Sequence, residues 1–556
     1  MPDHFLRTPP FPGHRAGPLV VQSSGRCSDD VDALIAALAG ARVGGAFWAA
    51  QAELPAGRDV LLAPDTQAQA WAMLDTAMAQ GDAARAVLIG PFSSRRGQGA
   101  AIPVIARQCD PWHLAEQASE VRAGADSELA LVAALLGRPV TVTGEGRYAP
   151  LDDSADSLRA VVAAQLLDDL AWHDPFTGSQ VAASDIVALL AEWRALIDAN
   201  RGIAAVFGVA PWKRVTMDAL LWDGSGRVRH GGKRQAAMLV TGQRTLAWKT
   251  RTPPQLLEGL AARGIPVGEI EDGMIRSTGL GANCVPPLSV IIDPLAAHFD
   301  PSQPSTLEHI LQYGDIAPEQ IARARRLRAR LVAAGISKYG QDAAQIPPAP
   351  RAPGQRRRVL VTGQVEDDRA VLLGGAGCTN RALLARARAE EPDANIIYKP
   401  HPDVEAGHRL GTIPDAEVLA HADRIERHTA ISTLLGQVDA LHVINSLAGF
   451  EALCRNVEVI THGVPFYAGW GLTRDLGPVP DRRQRRRCLD ELIAAVLILY
   501  PRYLDPVTRL PCPVEVLVER MAAGNATVSS PLVKLREWQG QANVWIGKMT
   551  APLTRP

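Results

Sequence analysis

Residues 357–402 read RRVLVTGQVEDDRAVLLGGAGCTNRALLARARAEEPDANIIYKPHP. A β-branched run, RRVLVTGQ (357–364), precedes an Ala-, Leu- and Arg-rich helical stretch, TNRALLARARAEEPD (379–393). That stretch leads into a second strand-like segment, ANIIYKPHP (394–402). Upstream, DVLLAPD (59–65) precedes TQAQAWAMLDTAMAQGD (66–82) in the same way. Strand, helix, strand is a βαβ unit, and such units build parallel sheets covered by helices. The expected class is α/β.

The chain has 556 residues, more than one hydrophobic core organises, so about two to four compact units are expected. Hydrophobic residues make up 47% and charged residues 21%, a globular profile. A formal net charge of -1 points neither to a nucleic-acid partner nor to an acidic tail. Cys27, Cys109, Cys284, Cys378, Cys454, Cys488 and Cys512 are scattered without C-x-x-C spacing. This argues against a zinc site or a disulfide framework and for a reducing compartment. The N-terminus has no apolar core of a secretory signal, and no apolar run reaches the ~18–20 residues of a membrane span. QIPPAPRAPGQ (345–355) has linker composition, and a softer break lies near 198–212.

A partial repeat is visible. ISTLLGQVDALHVINSLAGFEALCRNVEVITHGVPFYAGW (431–470) parallels PWHLAEQASEVRAGADSELALVAALLGRPVTVTGEGRYAPL (111–151). The Asp174-Pro175 and Asp505-Pro506 turns, each between helical stretches, extend the likeness. Chance similarity of Ala/Leu-rich helices is the alternative. The second copy has Lys399, His401 and Glu451 where the first has Gly90, Phe92 and, nearby, Ala133, and the first has no counterpart of IEDGMIRSTGLG (270–281). The N-terminal ~200 residues thus read as a Rossmann-like half-module that kept its fold pattern and lost its polar groups.

In IIYKPHPDVEAG (396–407), Lys399 stands just past a strand and two prolines hold His401, so both suit a phosphate at a strand end. A solvated turn is the plain alternative. In HVINSLAGFEALCRN (442–456), Ser446 caps a helix whose first N–H groups form an anion site. Gly449 would permit close backbone approach and Glu451 would accept from a ribose hydroxyl, or the motif is simple capping. Glu366, Asp367 and Asp368 form an acidic loop, open to a metal reading or to solvation. VPFYAGWGLTRD (464–475) is either a packed turn or a wall of a sugar pocket. Glu271 and Asp272 crowd two like charges at a strand end.

Six pieces occur in order over roughly residues 205–510: EDGMIRSTGLG, PPLSVIID, the Gln364-x-x-x-Asp368 pattern, YKPHPDVEAG, NSLAGFEAL and PFYAGWGLTRD. Together they resemble the KpsC family of capsule biosynthesis proteins, retaining β-Kdo glycosyltransferases. The resemblance implies a GT-B-like fold, two Rossmann-like domains facing a cleft, here preceded by the degenerate half-module. The boundaries expected are 1–200 for that module, 201–345 for the acceptor side, 346–490 for donor binding and 491–556 for a C-terminal helical segment. It implies a CMP-Kdo donor, a lipid-linked Kdo acceptor, the poly-Kdo linker of capsular polysaccharide as product, and no metal or cofactor. Asp368 would be the nucleophile and Glu271 the proton shuttle, with Asp272 positioning the loop. Gln364 belongs to the donor pattern, Lys399, His401 and Ser446 would hold the departing phosphate, and Arg276 would pair with a Kdo carboxylate.

ARARRLRAR (322–330) and DRRQRRR (481–487) would suit an anionic membrane face, placing the protein in the cytoplasm, peripheral at the inner face of the inner membrane, beside other capsule assembly proteins. A non-catalytic capsule export or scaffold protein binding lipid-linked glycan is the competing class. A metal-dependent phosphotransferase built on residues 366–368 is disfavoured by the lack of a P-loop.

Overall fold

Val60–Ala63, buried at every position, forms β1 at the centre of a parallel sheet. β2 (Ala86–Ile89) and β3 (Val104–Ile105) lie to one side, β4 (Glu120–Gly124) and β5 (Val140–Thr143) to the other, in the order β3-β2-β1-β4-β5. In the computed structural model the described residues are 4–26, 29–93, 102–278, 284–338, 340–341, 354–407 and 409–527. They form two compact units, Met1–Arg201 with Leu221–Val228 and Val507–Leu510, and Gly202–Leu220 with Arg229–Pro506 and Pro511–Pro556. Most of the Pro-rich break at 345–355 lies outside the described residues.

The second unit holds two six-stranded sheets. In the first, β6 (Ile203–Phe207), β7 (Arg244–Ala247) and β8 (Val267–Asp272) are parallel, and β9 (Ser289–Asp293) runs antiparallel to β8. In the second, β10 (Arg358–Thr362), β11 (Asn395–Lys399), β12 (Arg424–Ile425), β13 (Ala440–Val443), β14 (Glu458–Thr461) and β15 (Arg474–Asp475) are all parallel, in the order β12-β11-β10-β13-β14-β15. The helix Asn380–Glu390, capped by the Thr379 hydroxyl, buries Leu383, Leu384 and Ala387 in the core of this second sheet. The expectation of an α/β fold with parallel sheets is met.

The repeat has a structural form. Both parallel sheets place their first strand centrally, the next two on one side and the following two on the other, with β15 added in the second. Each ties its first strand to its fourth at the carboxyl end. Asp65 Oδ2 accepts from the Asp126 N–H at 3.0 Å, and Gln364 Oε1 accepts from the Asn445 N–H at 2.9 Å. The first copy is therefore not stripped of polar groups. It carries acids where the second carries amides, and acids there repel a phosphate.

Two sequence expectations change. Residues 365–379 are not simply a loop, because Asp368 caps a short helix, Arg369–Gly374. The C-terminal segment is not purely helical: β16 (Arg502–Leu504) pairs antiparallel with β9, and β17 (Pro511–Cys512) pairs with β16. The arginine runs are largely paired within the chain. Arg323, Arg325 and Arg330 bind Glu515, Asp490 and Glu519 at 2.6–2.9 Å. Arg482 and Arg483 both bind buried Glu308, and Arg487 Nε donates to the Leu311 carbonyl at 2.7 Å. These pairs tie elements together, although Arg325 and Arg330 stay exposed while paired. Among the described residues no helix is long and apolar enough to cross a membrane.

Candidate active site

In VGEIED (β8), alternation puts Glu269 and Glu271 on one face and Asp272 on the other. Glu269, 2% exposed, takes both guanidinium nitrogens of Arg369 and the Lys249 ammonium at 3.1 Å. Arg369 Nη1 also lies 3.5 Å from Glu271 Oε1. That oxygen is buried and accepts no hydrogen bond among the described residues. Burial, then the negative charges of Glu269 and Asp272, push the Glu271 carboxyl up to about 8, against the pull of Arg369 and Lys338.

Asp272 has the opposite environment. Burial alone would raise it, but Lys213 at 3.3 Å and the Arg276 Nε at 2.9 Å hold its carboxyl below the usual range. The two neighbours are thus split: Glu271 carries a proton near neutrality and Asp272 stays charged. Separation of this kind is how paired carboxyls divide acid–base and electrostatic work.

One stability prediction follows. The folded-state value of Glu271 lies above the ordinary carboxyl value of 4.5, so between pH ~4.5 and about 8 the native protein holds a proton that the unfolded chain has released. Stability from this group is complete below that window and is lost as pH rises through about 8. Glu271→Gln removes the dependence. The variant is expected to show a flatter urea midpoint against pH across that range and a higher midpoint than wild type at pH ~8.

At the carboxyl ends of the other sheet, the three acids separate. Glu366 accepts from the Asn380 N–H at 2.7 Å, and Asp367 pairs with Arg409 at 3.1 Å. Asp368 is exposed; its Oδ1 accepts from the Ala370 N–H at 2.9 Å, and among the described residues nothing is hydrogen-bonded to its Oδ2. Of the three, Asp368 is the exposed one with no ion pair among the described residues, which leaves it the most open to a ligand.

Lys399 ends β11, half-buried, its ammonium 3.5 Å from the Arg427 carbonyl. His401 Nδ1 accepts from the Asp403 N–H at 3.2 Å, so the ring proton sits on Nε2. Burial lowers the His401 pKa, against the charges of Asp403 and Asp368. It is a neutral donor at neutral pH. Ser446 caps the helix Leu447–Cys454, accepting from the Ala448 N–H at 3.2 Å.

Several assigned roles are corrected. Arg276 is fully buried; besides Asp272 it binds Ser277 Oγ at 2.9 Å and the Val285 carbonyl at 2.7 Å, so it cannot meet a sugar carboxylate. Gln364 spends its carboxamide on Asn445, at 2.9 and 2.8 Å, joining β10 to β13. Gly449 makes room for a tyrosine: a Cβ there would lie 2.0 Å from the Tyr467 hydroxyl. Glu451 Oε1 accepts from the Lys338 N–H at 3.4 Å. Tyr467 and Trp470 of the aromatic loop are fully buried, which is the packed-turn reading. Gly279 and Gly281 lie outside the described residues.

Sequence reading missed Glu269, Arg369, Lys249 and Lys213. Only Glu269 had a local signal, the E-x-E alternation that puts it on the Glu271 face.

Residues 245–503 match the family model described as capsule polysaccharide biosynthesis protein. The capsule polysaccharide modification protein LipA of Neisseria meningitidis serogroup A is 34% identical over 429 residues, covering 73% of this chain and 60% of LipA. The chain thus spans about 60% of the length of that relative. The lipopolysaccharide-processing protein LpsZ of Rhizobium meliloti is 40% identical over 316 residues, 55% of this chain and 70% of LpsZ. Among solved structures, a Thermosulfurimonas dismutans KpsC β-Kdo 2,4 transferase is 32% identical over 57% of this chain and 98% of its own, with a TM-score of 0.47. The chain belongs to the capsule polysaccharide biosynthesis family.

Proposed function

We propose that this chain is a retaining glycosyltransferase that moves Kdo from CMP-Kdo to a lipid-linked Kdo acceptor, extending the linker of a capsular polysaccharide. The observation that carries the reading is the split pair on β8: a largely buried carboxyl raised to about 8 beside one that Lys213 and Arg276 hold below the usual range. The relatives LipA and LpsZ are named for capsule polysaccharide modification and lipopolysaccharide processing, which supports a role in surface-polysaccharide assembly.

Retention follows from two displacements. In the first, Asp368 Oδ2 bonds to the anomeric carbon while the bond to the CMP phosphate breaks, its electron pair leaving with CMP. Lys399, the His401 Nε2–H and the first N–H groups of the helix behind Ser446 would meet that charge. In the second, the acceptor oxygen bonds to the anomeric carbon, the bond to Asp368 breaks, and Glu271 takes the acceptor's hydroxyl proton. Glu271 must be ionised for this step, so the rate should rise with pH through about 8. Asp272 stays charged and fixes the end of β8. No step here calls on a metal or cofactor. A lipid-linked acceptor would bring the protein to the inner face of the inner membrane.

Incubation with CMP-Kdo and a synthetic Kdo-lipid tests the reading. Release of CMP together with a lengthened glycolipid is expected. Binding of the glycolipid with no release of CMP would favour the export or scaffold class.

A further inference from the structure

Three neighbouring strand ends of the first sheet in the second unit supply one cluster. Beyond β6 comes Lys213, directly after β7 comes Trp248, and at the end of β8 stands Asp272. Lys213 is 5% exposed. Its ammonium lies 3.3 Å from Asp272 Oδ1 and 3.1 Å from the centroid of the Trp248 ring. Burying a lysine charge is costly unless an anion and a π-face receive it, and here both do. Nothing in the double displacement uses this lysine directly.

We infer that Lys213 is a positioning residue of the transfer site: seated on Trp248, it holds Asp272 charged on one face of β8, so that Glu271 on the other face is the single proton carrier. The inference rests on the proposed transferase reading for its kinetic consequence, but its electrostatic content stands without it.

The groups acting on Glu271 fix the sign. Glu269 and Asp272 come from its own strand, Arg369 from the helix after Asp368, and Lys338 from the turn after Ile336–Ser337. Lys249 reaches it through Glu269, while Arg276 and Lys213 reach it through Asp272. Tyr500, packed nearby, keeps its proton and donates to Asp293 at 2.7 Å. Asp272 is charged well before Glu271 releases its proton. Without Lys213, Glu271 therefore ionises against an anion balanced by Arg276 and Lys338 alone, and its pKa rises. Lys213 itself titrates near 8 because burial lowers it, so in the wild type the two lose protons together as a coupled pair. Arginine at 213 never loses its charge.

The test is the pH–rate profile with CMP-Kdo and the Kdo-lipid, alongside the urea midpoint against pH, for wild type, Lys213→Met and Lys213→Arg. Lys213→Met is expected to move the kinetic midpoint up by roughly one pH unit, and Lys213→Arg to leave it at or below the wild-type position. A purely structural lysine would lower stability and leave both midpoints in place; that result overturns the inference. Should the Met variant fail to fold, Lys213→Gln carries the same prediction, since it keeps a donor for Asp272 without the charge. If the wild type shows no turnover, the transferase reading fails separately. The upper edge of the Glu271-dependent stability slope still decides: it moves up in the Met or Gln variant, or the inference is wrong.

Discussion

Asp368→Asn is expected to abolish transfer, lowering kcat by roughly four orders of magnitude or more, while leaving the fold intact. Asparagine is the informative substitution. Asp368 also caps the helix Arg369–Gly374, and alanine there would cost about 1 kcal/mol of capping free energy along with the nucleophile. Asparagine caps about as well as aspartate, so its carboxamide keeps the hydrogen bond to Ala370 and removes the anionic oxygen. Thermal unfolding within experimental error of wild type, combined with lost turnover, separates the two roles. Turnover near the wild-type rate would remove Asp368 from the chemistry.

Glu271→Gln is the second large effect. It leaves the first displacement untouched, because the CMP phosphate departs without needing a proton, and it removes the base from the second. Loss of a general base costs roughly 10²–10⁴ in rate. The residual activity should also lose its dependence on pH near 8, where the wild-type rate is rising. A variant that keeps that dependence would place the titrating group elsewhere, Lys213 being the nearest alternative.

The motifs legible in the sequence were those whose residues are close along the chain. K-P-H-P, the Ser446 cap and the β10–helix–β11 unit all lie within one strand–turn–helix and could be placed from local pattern alone. What local pattern could not show is how distant segments meet. Lys213 reaches Asp272 across 59 residues, and Arg369 reaches Glu269 across 100. Arg276 looked available because its burial depends on Val285 and Ser277 closing over the guanidinium. The pairing of the arginine runs could not be read locally because Glu308, Asp490, Glu515 and Glu519 lie far away in sequence. The crowding of Glu271 and Asp272 was visible at once, but its resolution into one protonated and one charged group needed the cations on each side of β8.

Intact-protein mass spectrometry of Glu271→Gln mixed with CMP-Kdo and no acceptor tests the central claim most directly. The account predicts release of CMP and a mass gain of one Kdo residue on the protein, mapping to the peptide that contains Asp368 and absent when Asp368→Asn is added. Turnover by the wild type, with no covalent adduct in Glu271→Gln at any time point, would contradict it.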